Sequence, residues 1–205
     1  MFQTPTGSDP DIRGRLRTLF HLFLFLGIVL AILLAISQAT HWPRLSLETQ
    51  IDIAAPAAKV WPIVTDFGAY AQWNRFIPRA SGLLAKGKRL AIYIDPPRGL
   101  PMEVHPKILA YDSTGTLRWR GRVLAAGIFD GDHLLEVAPL DSTHARFTQN
   151  ETFTGLLVPF FAPTLNGSVR RGFLEMNQAL KQRAEAAVIA DTAGGPSPAP
   201  APAVP

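Results

Sequence analysis

The 205-residue chain contains no cysteine, which excludes disulfides, thiolate nucleophiles and cysteine-held metals. His41, His105, His133 and His144 lack metal-ligand spacing, so no metal is expected. No Walker loop, dinucleotide fingerprint or nucleophile elbow occurs, and no cofactor is expected either. Blocks of like charge, zinc spacings and an aromatic RNA-binding signature are also missing. The net charge of +4 and pI of about 9.8 therefore do not point to nucleic acid. Basic residues such as Arg75, Lys88, Arg118, Arg120, Arg122 and Arg170 are scattered, and such a surface suits anionic lipid head groups better.

One absence is local. From Thr18 to Pro43 there is no Asp, Glu, Lys or Arg. Within that stretch Leu19–Ile36 (LFHLFLFLGIVLAILLAI) supplies the run of roughly 20 apolar residues that a bilayer core of about 30 Å requires. Arg13, Arg15 and Arg17 on the near flank, against Arg44 beyond the far flank, orient residues 1–18 toward the cytoplasm. A helix over residues 19–40 would then be a single-pass anchor in the inner (cell) membrane, with the rest of the chain outside the cytoplasm. The alternative is a signal peptide cleaved after Ser37-Gln38-Ala39. The run exceeds an ordinary signal core, and Trp42 suits an interfacial aromatic belt. At the other end, residues 191–205 (DTAGGPSPAPAPAVP) carry too little apolar surface to fold and read as a disordered tail.

Residues 44–190 remain, enough for one domain with a real core. Arg44–Ile53 alternates, with Leu45, Leu47, Thr49, Ile51 and Ile53 on one face, as a half-buried strand does. Ala57–Asp66 has helical spacing, cut short by Pro62, and Tyr70, Trp73 and Phe76 follow in a second short helix and loop. Asp66 and Asn74 are placed to cap these helices. From Phe76 to Phe153 the period is two, interrupted by Gly87-Lys88, Pro96–Gly99, Ser113–Gly115, Asp130-Gly131 and Asp141-Ser142, which read as hairpin turns. Gly155–Phe161 reads as an apolar loop that either packs or dips into the membrane. Leu165, Val169, Phe173, Met176, Leu180 and Ala184 then recur at three and four, predicting an amphipathic helix over Pro163–Ala190. The class is α+β, with an antiparallel sheet curled around the last helix.

Several motifs occur along this domain in order. They are Ile51–Trp61 (IDIAAPAAKVW), Thr65-Asp66-Phe67, Tyr70–Asn74 (YAQWN), Leu117–Gly121 (LRWRG), Phe129–His133 (FDGDH), Arg146–Gly155 (RFTQNETFTG) and Gly172–Asn177 (GFLEMN). Together they resemble the SRPBCC superfamily of START and Bet v 1-like helix-grip proteins, specifically its polyketide cyclase/dehydrase-like branch, over Leu45–Ala187. The resemblance implies a cavity between the concave sheet face and the long helix. The superfamily hosts lipid carriers, cyclases and hormone receptors, so the fold alone does not name the activity. An N-terminal membrane helix departs from the usual soluble member.

Strand phase selects the residues that point into such a cavity. Leu135 and Val137 bring His133 inward. Phe147 and Phe153 bring Gln149 and Glu151, and Leu117 brings Trp119 while Arg118, Arg120 and Arg122 face out. Pro101–Leu109, read as one strand, turns Met102, Val104 and Ile108 inward. Tyr70 and Trp73 lie where such folds open, and Phe173 and Asn177 come from the long helix. The candidate ligand-binding set is thus Tyr70, Trp73, Val104, Trp119, His133, Phe147, Gln149, Glu151, Phe173 and Asn177. His133 and Glu151 can fix sheet register, anchor the polar head of a small hydrophobic ligand (lipid, isoprenoid or polyketide-like), or move protons as in a cyclase or dehydratase. A protein-interaction module using the outward arginines is a further reading.

Overall fold

The computed structural model describes residues 10–40, 43–192 and 194. Trp42, residues 1–9 and the tail beyond residue 194 lie outside the described residues.

Helix α1 (Pro10–Thr40) begins ahead of the uncharged run and carries its three arginines. At about 1.5 Å per residue its length exceeds the hydrocarbon core. It is long and apolar enough to cross a membrane, and Phe23 and Phe20 stand 70% and 65% exposed instead of packing on the domain.

Two antiparallel sheets follow. The larger holds β1 (Arg44–Ile53), β5 (Lys107–Asp112), β6 (Thr116–Val123), β7 (Phe129–Pro139) and β8 (Ala145–Thr154) in the order β1-β8-β7-β6-β5. The smaller is β2 (Arg79–Ser81), β3 (Ala91–Ile94) and β4 (Met102–Val104). Isolated pairing of Arg89 with Lys107 bridges the two. Between β1 and β2 lie α2 (Ala57–Thr65), a 3-10 turn (Phe67–Ala69) and α3 (Tyr70–Trp73). The chain ends in α4 (Val158–Thr164), a π-helical turn (Leu165–Val169) and α5 (Arg170–Thr192). Phe173, Met176, Leu180 and Ala184 of α5 are buried, and the helix lies against β1 and α2. This is an α+β helix-grip arrangement, as the alternation and the final helical period require.

Several expectations are corrected. Asp130-Gly131 is strand, not turn; the reversal lies at 124–128 instead. Asp130 is there to bind Arg122 Nε (2.7 Å) and Gly127 N (3.0 Å). Pro101–Leu109 is not one strand: it breaks at His105-Pro106 between the two sheets, leaving Met102 47% exposed and Val104 half-buried on the smaller one. The break follows from Pro106, which offers no N–H to a ladder. The apolar stretch Val158–Phe161 is helical, so the terminal helix starts five residues before Pro163 and runs to Thr192. Pro163 is tolerated because the π turn behind it relaxes the hydrogen-bond pattern. Asp66 and Asn74 cap no helix with their side chains; Asn74 Oδ1 accepts from Ile77 N at 2.9 Å and shapes the loop.

Candidate functional site

Register aligns one row of side chains across the concave face of the larger sheet. Leu47 pairs with Glu151, Glu151 with His133, His133 with Trp119, and Trp119 with Ile108. The next row places Thr49 opposite Gln149 and Gln149 opposite Leu135. Alternation puts every one of these on the same side. A polar stripe therefore crosses an otherwise apolar surface.

Helix α5 closes over the stripe. Phe173 stacks on the His133 ring (4.9 Å between centroids, 22° between planes), and Trp119 meets the same imidazole edge-on at 4.9 Å. Gln149 Nε2 donates to Asn177 Oδ1 (2.5 Å) and Phe173 O (3.2 Å), and Asn177 Nδ2 donates to Thr49 Oγ1 (3.2 Å). This chain ties β1, β8 and α5 together. Among the described residues it leaves Gln149 Oε1 and His133 Nε2 buried without a hydrogen bond. Buried polar atoms are rarely left so, because each loses its water hydrogen bond.

Glu151 Oε2 stands 3.7 Å from His133 Nδ1, beyond hydrogen-bond reach. Burial dominates the chemistry of both. It pushes the Glu151 carboxyl up to about 8, with the nearby Asp132 charge adding to the rise. It pushes His133 down to about 3, only partly opposed by the Gln149 amide and the Asp132 charge. At neutral pH the two face each other as an uncharged acid and an uncharged imidazole, not as an ion pair. Gly131 makes room for the acid: a Cβ there would sit 2.8 Å from Glu151 Oε1 and 3.5 Å from the Phe153 ring. The Glu151 side chain keeps 16% of its surface open, against 4% for His133, so the carboxyl is the accessible member.

The structure thus assembles Trp119, His133, Gln149, Glu151, Phe173 and Asn177. It does not add the other four. Phe147 is fully buried opposite Val137, four residues along β8 from Glu151, which is about 13 Å. Val104 belongs to the smaller sheet. Tyr70 is core: its hydroxyl donates to Val64 O at 2.6 Å, and its ring packs edge-on against Phe67 and Trp73. Trp73 is half-buried in that cluster, away from the stripe. Phe76 reaches the site indirectly, edge-on to Phe173 at 5.4 Å. Thr49 and Gly131 were overlooked as site residues. Thr49 was visible as a polar member of an inward apolar set, whereas Gly131 has no sequence signal separating it from a turn glycine.

Two surface concavities flank the domain. One of about 360 Å³ lies between Phe67, Pro78, Arg79 and Tyr93. The other, about 470 Å³, lies on the convex sheet face among Arg44, Arg118, Arg120, Arg122, Asp130 and Asp132. Neither is lined by the stripe, on which Phe173 packs through the His133 ring. The outward arginines are engaged: Arg118 and Arg120 both bind Asp132 at 2.6 Å.

The fold recurs widely. Zhui aromatase/cyclase from Streptomyces sp. R1128 superposes with a TM-score of 0.60 at 20% identity, over 75% of this chain and 99% of that one. A START superfamily protein from Mycobacterium smegmatis gives 0.54 at 20% identity, over 69% and 97%. Norcoclaurine synthase from Thalictrum flavum, in complex with dopamine and hydroxybenzaldehyde, gives 0.51 at 13% identity, over 68% and 86%. At these identities the likeness is one of fold. No curated protein matches the sequence. The family model for polyketide cyclase/dehydrase and lipid transport proteins matches residues 44–185, and together with the START-like fold this makes the chain a member of that family, within the SRPBCC superfamily.

Proposed function

We propose that the protein binds a small, mostly apolar molecule with a polar head on the concave face beneath α5, while α1 holds the domain at the membrane. The carrying observation is the unspent polarity of the stripe. Among the described residues His133 Nε2 and Gln149 Oε1 are buried without a hydrogen bond, beside a Glu151 carboxyl that retains some exposure. A ligand hydroxyl would satisfy them, donating to Gln149 Oε1 and accepting from His133 Nε2–H, with Trp119 supplying apolar contact. Phe173 packs on His133 over the stripe, so a bound molecule would have to displace its ring. The π turn just before α5 is the local irregularity that would let the ring move. The complex of norcoclaurine synthase with two aromatic compounds supports ligand binding on this fold.

The test uses the full chain, purified in mild detergent. Native mass spectrometry and organic extraction should find a co-purified lipid, isoprenoid or polyketide-like molecule at fixed stoichiometry. His133→Leu with Glu151→Gln should lose it while remaining folded. Unchanged retention in that double variant would remove the pair from the site.

A second reading is favoured by the burial of Glu151, which pushes its carboxyl up to about 8 while leaving it 16% exposed. A carboxylic acid neutral at physiological pH and partly open is equipped for general acid catalysis. Turnover of the extracted molecule that disappears in Glu151→Gln would establish this reading over simple carriage.

A further inference from the structure

The end of the domain nearest α1 carries apolar and basic side chains that the stripe does not use. Ser37, in the last turn of α1, is buried, and its hydroxyl donates to Gly127 O at 3.1 Å. Leu156 N donates to the same carbonyl at 2.9 Å, and Gly155 N donates to Pro43 O at 3.1 Å. The helix end, the β6–β7 reversal and the turn before α4 are thereby fastened into one edge.

That edge exposes what water disfavours. Leu124 is 80% exposed, Phe160 78% and Phe161 38%. Leu124 also has φ +65°, a left-handed conformation that a leucine adopts only at a cost. Immediately beside this edge runs the outermost row of the convex face, Arg44, Thr154, Asp130 and Arg122 in register. Arg44 follows the last residue of α1 by four positions. Apolar tips beside a polar row in which Arg122 is paired with Asp130, continuous with a membrane-length helix, match the lipid and head-group layers of one bilayer leaflet.

We propose that this edge is embedded in the membrane that α1 spans, with Leu124, Phe160 and Phe161 in the acyl boundary and Arg44 at the level of the anionic head groups. The inference rests on membrane attachment through α1 and deepens the ligand-binding reading by giving the ligand a lipid-side approach. Aromatic rings continue inward from the edge: Phe160 to Phe161 at 5.1 Å, Phe161 to Phe129 at 5.5 Å and Phe129 to Phe153 at 5.6 Å. Phe153 flanks Gly131, where Glu151 Oε1 also sits. The edge is thus joined to the neighbourhood of the carboxyl by packed aromatic side chains.

The lack of native cysteine makes the test direct. Leu124→Cys, Phe160→Cys and, at the opposite end of the sheet, Leu140→Cys (Leu140 is 47% exposed) are each labelled with an environment-sensitive fluorophore in the full chain. The labelled chains are reconstituted into vesicles of zwitterionic and anionic phospholipid. Labels at positions 124 and 160 should shift to the blue, be quenched by lipid-borne quencher, and resist aqueous iodide several-fold better than the label at position 140. Equal iodide access at all three sites in vesicle-bound protein overturns the proposal. Protection from iodide without lipid-borne quenching also overturns it, in favour of a protein partner or a second copy. Failure of the chain to float with vesicles removes its premise. Ligand extracted from the same samples reports separately on the stripe, so the two readings fail independently.

Discussion

Glu151 and His133 are cross-strand partners separated by 3.7 Å, and burial disfavours the charged form of each, raising the carboxyl and lowering the imidazole. Neither gains a full hydrogen bond from the other. The pair is therefore held in place by the surrounding register and packing, and its polarity remains available.

The pH dependence of stability follows from the opposite displacements. Glu151 moves from 4.5 to about 8, so its contribution is full below pH 4.5 and is lost as pH rises toward 8. His133 moves from 6.5 to about 3, so its contribution is full above pH 6.5 and is lost as pH falls toward 3. Between 4.5 and 6.5 the two slopes cancel, giving a plateau flanked by losses of roughly 2 kcal/mol on each side. Denaturant titrations across pH should show Glu151→Gln abolishing the alkaline loss relative to wild type and His133→Leu abolishing the acid one. Parallel curves for wild type and both variants would mean that the pair is solvated.

Gly131→Ala offers a way to move the carboxyl without removing it. The added methyl would stand 2.8 Å from Glu151 Oε1, and the flexible end of the Glu side chain is the part that can yield. Stability should change by about 1 kcal/mol or less, within the range of a tolerated small-to-large change. Ligand retention, by contrast, should fall as far as in Glu151→Gln. Full retention in Gly131→Ala would show that the carboxyl position is immaterial.

Asn177→Ala tests the link between sheet and helix. It strands Thr49 Oγ1 and removes the shorter of the two acceptors of Gln149 Nε2, all in buried surroundings. Loss of buried partners at about 1–3 kcal/mol each predicts destabilisation near 3 kcal/mol, read as a lower urea midpoint at unchanged slope. A change below about 0.5 kcal/mol, the scatter of surface substitutions, would show that water replaces the amide at no cost.

Much of this was legible in the chain because period and burial agree. The alternation of β1, β7 and β8 placed Thr49, His133, Gln149 and Glu151 inward, and the three-four spacing after Leu165 placed Phe173 and Asn177 above them. Positions governed by a specific neighbour were not legible. Gly131 is a glycine because of the Glu151 carboxyl across the ladder, and Asp130 lies in strand because Arg122 and Gly127 hold its carboxylate. Tyr70 carries no mark in the sequence that its hydroxyl is used by Val64 O. Val104 was misplaced for a related reason: Pro106 ended one strand and let the chain change sheets within a single period-two run.

Leu124 separates the demands of folding from those of the membrane. Its left-handed backbone is natural for glycine, so Leu124→Gly should relieve strain of about 1 kcal/mol, partly offset by the greater freedom of glycine in the unfolded chain. In detergent the variant should therefore be no less stable than wild type. On vesicles it should bury less of the edge, so that a fluorophore at Phe160→Cys becomes more accessible to iodide than in the Leu124 parent. Ligand transfer from vesicle to protein should slow in parallel, while affinity for ligand already bound stays unchanged, because Leu124 does not touch the stripe. A variant that is destabilised in detergent would instead make Leu124 a folding residue, and a variant with unchanged iodide access would take it out of the membrane edge. The opposing directions expected in the two media distinguish a side chain kept for a surface outside the protein from one kept for the core.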